Sequence, residues 1–277
     1  MRVLLILILA VSLAAGGTWF EYQRFNDKPL SLPEEPFHLD VPRGTSLRTL
    51  SEELTRRGVF DQPYFFLALA YVTGNASRIQ AGEYEVPPGV RPPELLDLLI
   101  SGKVVHRALT LVEGWTFKQA LNAVSRDERL RRELEEPSPE SVMTALGRAD
   151  LHPEGRFFPD TYHFTKGTSD LDILRRAFER MEKMLAEEWK AREEGLPLET
   201  PDEALILASI VEKETGMASE RPAIAGVFSR RLAMGMKLQT DPTVIYGMGD
   251  AFDGDLRRED LREDTPYNTY VHHGLPP

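Results

Sequence analysis

Cysteine is absent from the 277 residues, and this absence removes two classes of site. Without cysteine the chain can form neither a disulfide framework nor a thiolate metal site. The six histidines are scattered without H-x-x-x-H spacing, and His272-His273 is their single cluster. We therefore expect neither a metal ion nor a cofactor.

Positively charged residues are also fewer than negatively charged ones. The chain has 33 Lys and Arg residues against 44 Asp and Glu residues, for a formal net charge of −11. A nucleic-acid-binding protein needs a basic surface to neutralise phosphates, so we exclude nucleic acid as a partner. The 42% apolar content supports a packed core, and the length leaves room for about two domains.

Long uncharged runs are rare, and the one that exists lies at the N-terminus, Val3–Phe20. As a helix it spans roughly 27 Å, enough to cross the hydrocarbon core of a bilayer. A cleaved signal peptide is the alternative, because residues 14–17 are small. Trp19 and Phe20 suit an interfacial belt, which favours an uncleaved anchor. With Arg2 inside by the positive-inside rule, residues 1–22 are a cytoplasmic tip and transmembrane anchor, and the later residues are periplasmic or extracytoplasmic.

The next part of the chain predicts a linker and a small domain. Three prolines in residues 26–36 indicate a semi-rigid linker, which we place at 23–36. Residues 37–112 then show the periodicities and stop signals of short alternating elements. These are strand Phe37–Val41, helices 46–57 and 62–73, strand Gly82–Val86, helix Pro92–Ser101 and strand Val104–Val112.

The start of this block resembles a LysM-like module, a small βααβ fold that binds peptidoglycan. A small α+β domain that only packs on the rest of the chain is the alternative. The segment 113–116 then starts a new helix and predicts a boundary, so residues 113–277 form a larger mixed α/β domain. Within it we predict charged helices over 126–150 and a long amphipathic helix, Leu171–Ala191.

The most informative stretch is Ala204–Thr215, an apolar segment followed by two carboxylates. A helix that is apolar all round is normally buried, so it should run through a core. Helical spacing places Glu212 on a face with small side chains, while Glu214 lies about 200° away. This leaves room for a ligand beside Glu212, our candidate catalytic acid, with Glu214 as the fallback. A solvated glutamate paired with Lys213 or Arg221 is the alternative.

Polar residues that suit sugar hydroxyls and amides follow in two later segments. Five of them are candidate substrate-binding residues: Gln239, Thr240, Asp241, Tyr246 and Asn268. Asp241 precedes Pro242, so the pattern also predicts a purely structural role as a helix N-cap.

Several segments together resemble the endolytic murein transglycosylase family, the MltG or YceG-like proteins. They are EGxFFPDTY at 154–162, ASIVEKET at 208–215, ASER at 218–221, LQTDPTVIYG at 238–247, and YNTY at 267–270 before GLPP at 274–277. Family members usually continue beyond GLPP, so we expect the catalytic domain to be cut short at Pro277. Arg156 stands where the family often has an aromatic residue.

The resemblance implies cleavage of the β-1,4 bond between N-acetylmuramic acid and N-acetylglucosamine within nascent glycan strands, which leaves 1,6-anhydro ends. The family's catalytic glutamate corresponds to Glu212, as single general acid and then base. Peptidoglycan strands and penicillin-binding-protein synthases are the implied partners. A hydrolase that pairs Glu212 with Asp241 and a non-catalytic scaffold of cell-wall synthesis are the alternatives.

Overall fold

The computed structural model describes residues 2–33 and 35–277, with the backbone alone described for Arg2. Met1 of the predicted cytoplasmic tip and Glu34 of the predicted linker lie outside the described residues. The described chain is a mixed α+β structure that begins with an apolar helix. Its helices and strands are α1 Arg2–Asp27, β1 Phe37–Val41, α2 Leu47–Arg56, α3 Pro63–Val72, β2 Gly82–Val86, α4 Pro92–Ser101, β3 Arg107–Thr110, α5 Phe117–Arg126, α6 Pro139–Ala145, β4 Thr161–Phe164, α7 Asp170–Ala191, α8 Pro201–Glu214, α9 Arg221–Ala233 and α10 Asp241–Met248, followed by 3₁₀ turns Gly249–Ala251 and Asp260–Arg262.

The residues divide into two compact units. The first comprises residues 1–107 with 163–166, and the second comprises residues 108–162 with 167–277.

Helix α1 carries the apolar run and extends beyond it. Its part from Val3 to Asp27 is long and apolar enough to cross a membrane. The helix continues into the segment predicted as a linker, and Leu30 of that segment is buried in the core of the first unit. The predicted linker is therefore partly helical and partly packed, because its apolar side chains find partners in this unit.

The core of the first unit lies beneath an antiparallel pair of strands. Phe37 of β1 pairs with Val86 of β2, and Leu39 pairs with Tyr84. Alternation along each strand turns Leu39, Tyr84 and Val86 toward the core. Helices α2 and α3 connect the two strands, which gives the order β-α-α-β. The structure confirms three elements with the bounds predicted from sequence, which are strands 37–41 and 82–86 and helix 92–101.

The second unit is mainly helical, and its longest helix, α7, begins one residue earlier than predicted. It starts with a capping box, in which Ser169 and Asp172 satisfy each other's backbone N–H groups, and buries Leu174 and Phe178. Two predictions for this region were too broad. Between residues 127 and 150 the described helix is α6 alone, and the predicted strand 104–112 shrinks to β3.

Strand β4 was not predicted from sequence, where residues 154–164 show only a density of aromatic residues. It forms the second two-stranded sheet with β3. The N–H of Leu111 donates to the carbonyl oxygen of Asp160 at 3.0 Å, and the hydroxyls of Thr110 and Thr161 are 2.9 Å apart. This pairing joins segments that are about fifty residues apart, so local periodicity carried no signal of it.

Candidate active site

Helix α8 is buried on one face only, so the expectation of a helix enclosed by a core is wrong. Leu207, Ile210 and Val211 are buried among apolar side chains of the second unit. Complete burial of each contributes roughly 2 kcal/mol, which is enough to fix this face against its neighbours. Ala208 and Ser209 on the opposite face are exposed. Their side chains are too small to need a partner, so this face stays open.

Glu212 lies at the end of that open face. Its side chain is 29% exposed, and its Oε2 is 2.9 Å from Nη2 of Arg221. Arg221 is the first residue of helix α9, which follows α8 after a short turn. The carboxylate is therefore paired with a guanidinium from the next helix, which is the pairing with Arg221 that the alternative interpretation of Glu212 predicted. Its role as the catalytic acid stays a prediction.

The loop before helix α5 covers one side of Glu212. Gly114 has a φ of +72°, and a Cβ at this position would lie 3.7 Å from Cγ of Glu212 and 3.6 Å from Nζ of Lys213. The positive φ disfavours other residues here. Gly155 approaches the same α8 face two turns toward its N-terminus, where a Cβ would lie 3.3 Å from Cδ2 of Leu205.

Glu214 faces different surroundings, as its position on the helix predicted. It accepts a hydrogen bond from the hydroxyl of Thr240, which is buried. Thr240 is also the N-cap residue of α10, so the prediction of Asp241 as N-cap is wrong. The helix begins one residue earlier because Asp241 already has helical geometry and Pro242 occupies its second position.

Asp241 accepts a hydrogen bond from the hydroxyl of Tyr270 at 2.6 Å. Burial, followed by this bond, raises the pKa of Tyr270 to about 12. The negative charge of Glu214 acts in the same direction, which shows that these three side chains share one polar cluster.

Gln239 precedes this cluster in an unusual backbone conformation. Its φ of +52° is the only positive value among the non-glycine residues that the structure describes. Its N–H donates to the carbonyl oxygen of Thr269, and Nη1 of Arg231 donates to the carbonyl oxygen of Leu238 at 2.6 Å. Strain of this kind is maintained only where the surroundings hold it, and functional sites are a frequent location.

Asn268 is 1% exposed and forms its hydrogen bonds within its own loop. Its Nδ2 donates to the carbonyl oxygens of Asp260 and Glu263 at 3.1 and 2.7 Å, and its Oδ1 accepts from the N–H of Tyr270 at 2.9 Å. In this state the amide shapes the loop that carries Tyr270 and offers no free group to a ligand.

Tyr246 contacts Glu154, an acidic residue that was not among the candidate site residues predicted from sequence. Its ring is 39% exposed and packs edge-on against Tyr267, and its hydroxyl donates to Oε2 of Glu154 at 3.2 Å. Burial, followed by the charge of Glu154, raises the pKa of Tyr246 well above its usual range. The other oxygen, Oε1 of Glu154, accepts from the N–H of Phe117 at 2.8 Å.

Glu154 thus joins α10 to the N-terminus of α5, next to Gly155 and the open face of α8. The sequence contains a signal for this residue, because Glu154 is the first residue of the segment 154–162 that carries part of the family resemblance. The structure therefore borders the open α8 face with Glu212 and with the Glu154–Tyr246 pair, and groups Thr240 and Asp241 with Glu214 on the other side of the helix.

Comparison with known proteins gives a consistent result across most of the chain. A model of the YceG-like family matches residues 39–277. An endolytic murein transglycosylase from Bacillus subtilis is 29% identical over 257 residues, which cover 87% of this chain and 71% of that protein. One from Streptococcus pneumoniae is 27% identical over 307 aligned positions, which cover 98% of this chain and 55% of that protein. The chain thus spans about half the length of the pneumococcal relative.

A crystal structure at 2.6 Å of a YceG-like protein from Listeria monocytogenes is 29% identical to this chain. The match covers 88% of this chain and 85% of that one, with a TM-score of 0.49.

Proposed function

Because the chain belongs to the YceG-like family, we propose that it is a lytic transglycosylase, a lyase that acts on peptidoglycan. It cleaves the β-1,4 bond between N-acetylmuramic acid and N-acetylglucosamine within nascent glycan strands, leaves 1,6-anhydro ends and so terminates elongation. The observation that carries the proposal is the family match over residues 39–277, which includes Glu212 on the open face of α8.

The reaction needs one carboxyl group that acts twice. Protonated Glu212 first donates its proton to the glycosidic oxygen while the bond from that oxygen to the muramyl C1 breaks. The muramyl N-acetyl group or direct stabilisation of the oxocarbenium ion balances the positive charge. The deprotonated Glu212 then takes the proton of the muramyl 6-hydroxyl, whose oxygen bonds to C1 and closes the anhydro ring. No water is consumed.

The pair with Arg221 holds one oxygen of Glu212, because Oε2 accepts from the guanidinium at 2.9 Å. The other oxygen, Oε1, is proposed to exchange the proton with the bound strand. A bound glycan excludes water from the open face and strengthens electrostatic interactions there. Arg221 is thus a positioning residue, since it acts through Glu212.

The candidate binding residues divide by exposure. Tyr246 and Asp241 keep exposed surface and are proposed to contact the acetamido sugars directly. Thr240 and Asn268 are buried and act by shaping the α10 N-terminus and the 260–270 loop. Gln239 contributes its side-chain amide from the strained turn between them. Glu154 is added as the residue that orients Tyr246.

The remaining parts of the proposal concern the rest of the chain. Residues 37–112 are a LysM-like module that binds glycan, and residues 113–277 are the catalytic domain. Helix α1 anchors the protein in the cytoplasmic membrane with the N-terminus inside and the catalytic domain periplasmic or extracytoplasmic. Penicillin-binding-protein synthases, which produce the nascent strands, are the proposed partners.

Product analysis tests the reaction and the acid together. Uncrosslinked glycan strands are incubated with wild type, Glu212→Gln and Glu214→Gln, and the products are analysed by mass spectrometry before and after borohydride treatment. Glu214→Gln is a matched control, because it makes the same chemical change two residues away on the other side of the helix. We expect anhydro ends, lighter by one water and resistant to reduction, from wild type and Glu214→Gln but not from Glu212→Gln.

Two other outcomes overturn the proposal. Reducible muramic acid ends indicate a hydrolase with a second carboxylate, and no cleavage by a folded wild type indicates a scaffold. Loss of activity in Glu214→Gln with retention in Glu212→Gln moves the acid to Glu214.

A further inference from the structure

Helix α1 is continuous with the first unit rather than flexibly linked to it. The apolar run ends at Phe20, and the helix continues to Asp27. Tyr22 and Phe25 therefore lie roughly 3 Å and 8 Å beyond the end of the run along the helix axis. Both side chains pack against the core of the unit.

Aromatic contacts and backbone hydrogen bonds hold this junction. The ring of Tyr22 lies 6.0 Å from that of Phe65 in an edge-on contact, and the ring of Phe25 lies 5.7 Å from Phe65. The next residues are held as well, since the N–H of Leu30 donates to the carbonyl oxygen of Val90 at 2.8 Å. The first unit is thus fixed at a short distance from the end of the apolar run.

Helix α3 begins at this junction and presents large apolar side chains to the outside. Phe65 contacts α1, whereas Tyr64 beside it is 76% exposed. Tyr71 lies two turns along the same face and is 71% exposed, and Val72 next to it is 78% exposed. The helix has no charged residue from Pro63 to Val72. An exposed apolar surface of this kind on a folded domain marks a contact site.

The aromatic side chains at the end of the apolar run continue toward this face. Trp19 and Phe20 are exposed on α1, and the ring of Trp19 lies 5.7 Å from that of Tyr22. Tyr22 in turn contacts Phe65, so ring contacts lead from the end of the run to the start of α3. Tyrosine and tryptophan favour the interfacial layer of a bilayer, where an apolar ring and a polar group are both satisfied.

We propose that the α3 face formed by Tyr64, Tyr71 and Val72 lies in the interfacial layer of the membrane that α1 spans. The first unit then rests on the lipid surface through α3 instead of projecting from it. The occupant of this face is the headgroup and upper acyl region of the bilayer. Arg24, which lies 3.8 Å from Glu21, and Lys28 are exposed four and eight residues beyond Phe20, and the proposal has them reach lipid phosphates. The proposal rests on the membrane anchoring proposed above.

The absence of cysteine makes the test direct. Single cysteines are introduced at Val72, at Ser12 within the apolar run and at Glu85 on the exposed side of β2, and each is labelled with an environment-sensitive fluorophore. The full chain is reconstituted in nanodiscs of phosphatidylethanolamine and phosphatidylglycerol that carry nitroxide lipids, with the nitroxide either shallow or deep. Val72→Cys retains both tyrosines, and Glu85→Cys is the matched exposed control.

We expect the shallow nitroxide to quench the label at Val72 several-fold more than the label at Glu85, and the deep nitroxide to quench the label at Ser12. Adding Tyr64→Ser and Tyr71→Ser to Val72→Cys should remove most of its quenching without changing the circular dichroism spectrum. Both tyrosines are exposed, so these changes do not disturb the core.

The outcomes separate this proposal from the anchoring on which it rests. Strong quenching at Ser12 with equal, weak quenching at Val72 and Glu85 overturns the docking of α3 and leaves the anchor intact. Absence of quenching at Ser12 by the deep nitroxide overturns the proposed membrane anchor itself. A label at Val72 that responds to added glycan strands but not to nitroxide lipids assigns the face to sugar binding and also overturns the proposal.

Discussion

The carboxylate of Glu212 and the guanidinium of Arg221 meet at 2.9 Å across the turn between α8 and α9. This contact holds one oxygen, Oε2, of the proposed acid. Nε of Arg221 is buried without a hydrogen-bond partner among the described residues, although the side chain as a whole is 42% exposed.

Replacement of Arg221 by alanine should lower kcat about 10²-fold with little change in KM, because a misplaced catalytic group loses rate more than binding. The measurement is steady-state release of anhydro ends from glycan strands. Arg230→Ala, an exposed arginine on the same helix, is the control and should keep wild-type rates. Equal rates for Arg221→Ala and wild type would contradict a positioning role.

Tyr246→Phe and Glu154→Ala should be coupled in a double-mutant cycle. The hydroxyl of Tyr246 donates to Glu154, so each single change removes this bond, and we expect a coupling free energy of about 1 kcal/mol. Thermal unfolding and KM for glycan strands are measured for all four proteins. Additive effects on both quantities would show that the contact does not orient Tyr246.

Asn268→Ala should destabilise the protein by about 3 kcal/mol, because it leaves two carbonyl oxygens and one N–H without their buried partner. Denaturant unfolding measures the change. Asn122→Ala on the exposed side of α5 is the control and should stay within about 0.5 kcal/mol of wild type. An Asn268→Ala protein with unchanged stability and a raised KM would instead place the amide in direct contact with sugar.

The stability that Tyr270 contributes should disappear at high pH. Its pKa is raised from 10.0 to about 12 in the folded protein, first by burial and then by the bond to Asp241. The folded state therefore favours the neutral phenol, so the contribution is complete below about pH 10 and is lost as the pH rises toward 12. Between these values the melting temperature of wild type should fall more steeply than that of Tyr270→Phe.

Asp241→Asn provides the control for this titration, because it removes the negative charge beside the phenol and should let Tyr270 ionise earlier. The absorbance of phenolate follows the ionisation directly. Parallel melting curves for wild type and Tyr270→Phe across this range would contradict the assignment.

Membrane orientation can be measured with the same cysteine-free background. Single cysteines at Arg2 and Ser77 are exposed to an impermeant maleimide in intact spheroplasts. With the N-terminus inside, Ser77→Cys should be labelled at once and Arg2→Cys only after lysis. The reverse pattern would contradict the proposed topology.

Much of the local structure could be predicted from sequence because local rules dominate it. Alternation defined strand 37–41, glycine and serine signals set the ends of α2 and α4, and amphipathic periodicity predicted α7. Thr200 caps α8, because its side chain accepts a hydrogen bond from the N–H of Glu203 three residues later. These elements depend on interactions between residues at most four positions apart, so the local sequence is enough to predict them.

The site was less accessible to sequence reasoning. Asn268 is buried in a loop that has no periodicity to predict its burial. The contact between Glu154 and Tyr246 joins two segments that are far apart in the sequence. Asp241 was misplaced as a cap because a threonine immediately before it fills that position. Which of two neighbouring residues caps a helix depends on their relative free energies. A sequence pattern that fits both residues does not say which one is favoured.

Sequence alone determined that this chain has an apolar N-terminal helix, a β-α-α-β arrangement and two glutamates that leave α8 in different directions, because helical and strand periods dictate which side chains share a face. Its motifs also indicated the family to which the chain belongs. Tertiary structure decided that α8 is open on the side of Glu212, that Arg221 holds this carboxylate and that Glu154 supports Tyr246. Those features arise from contacts between distant segments, whose packing free energy has no local signature.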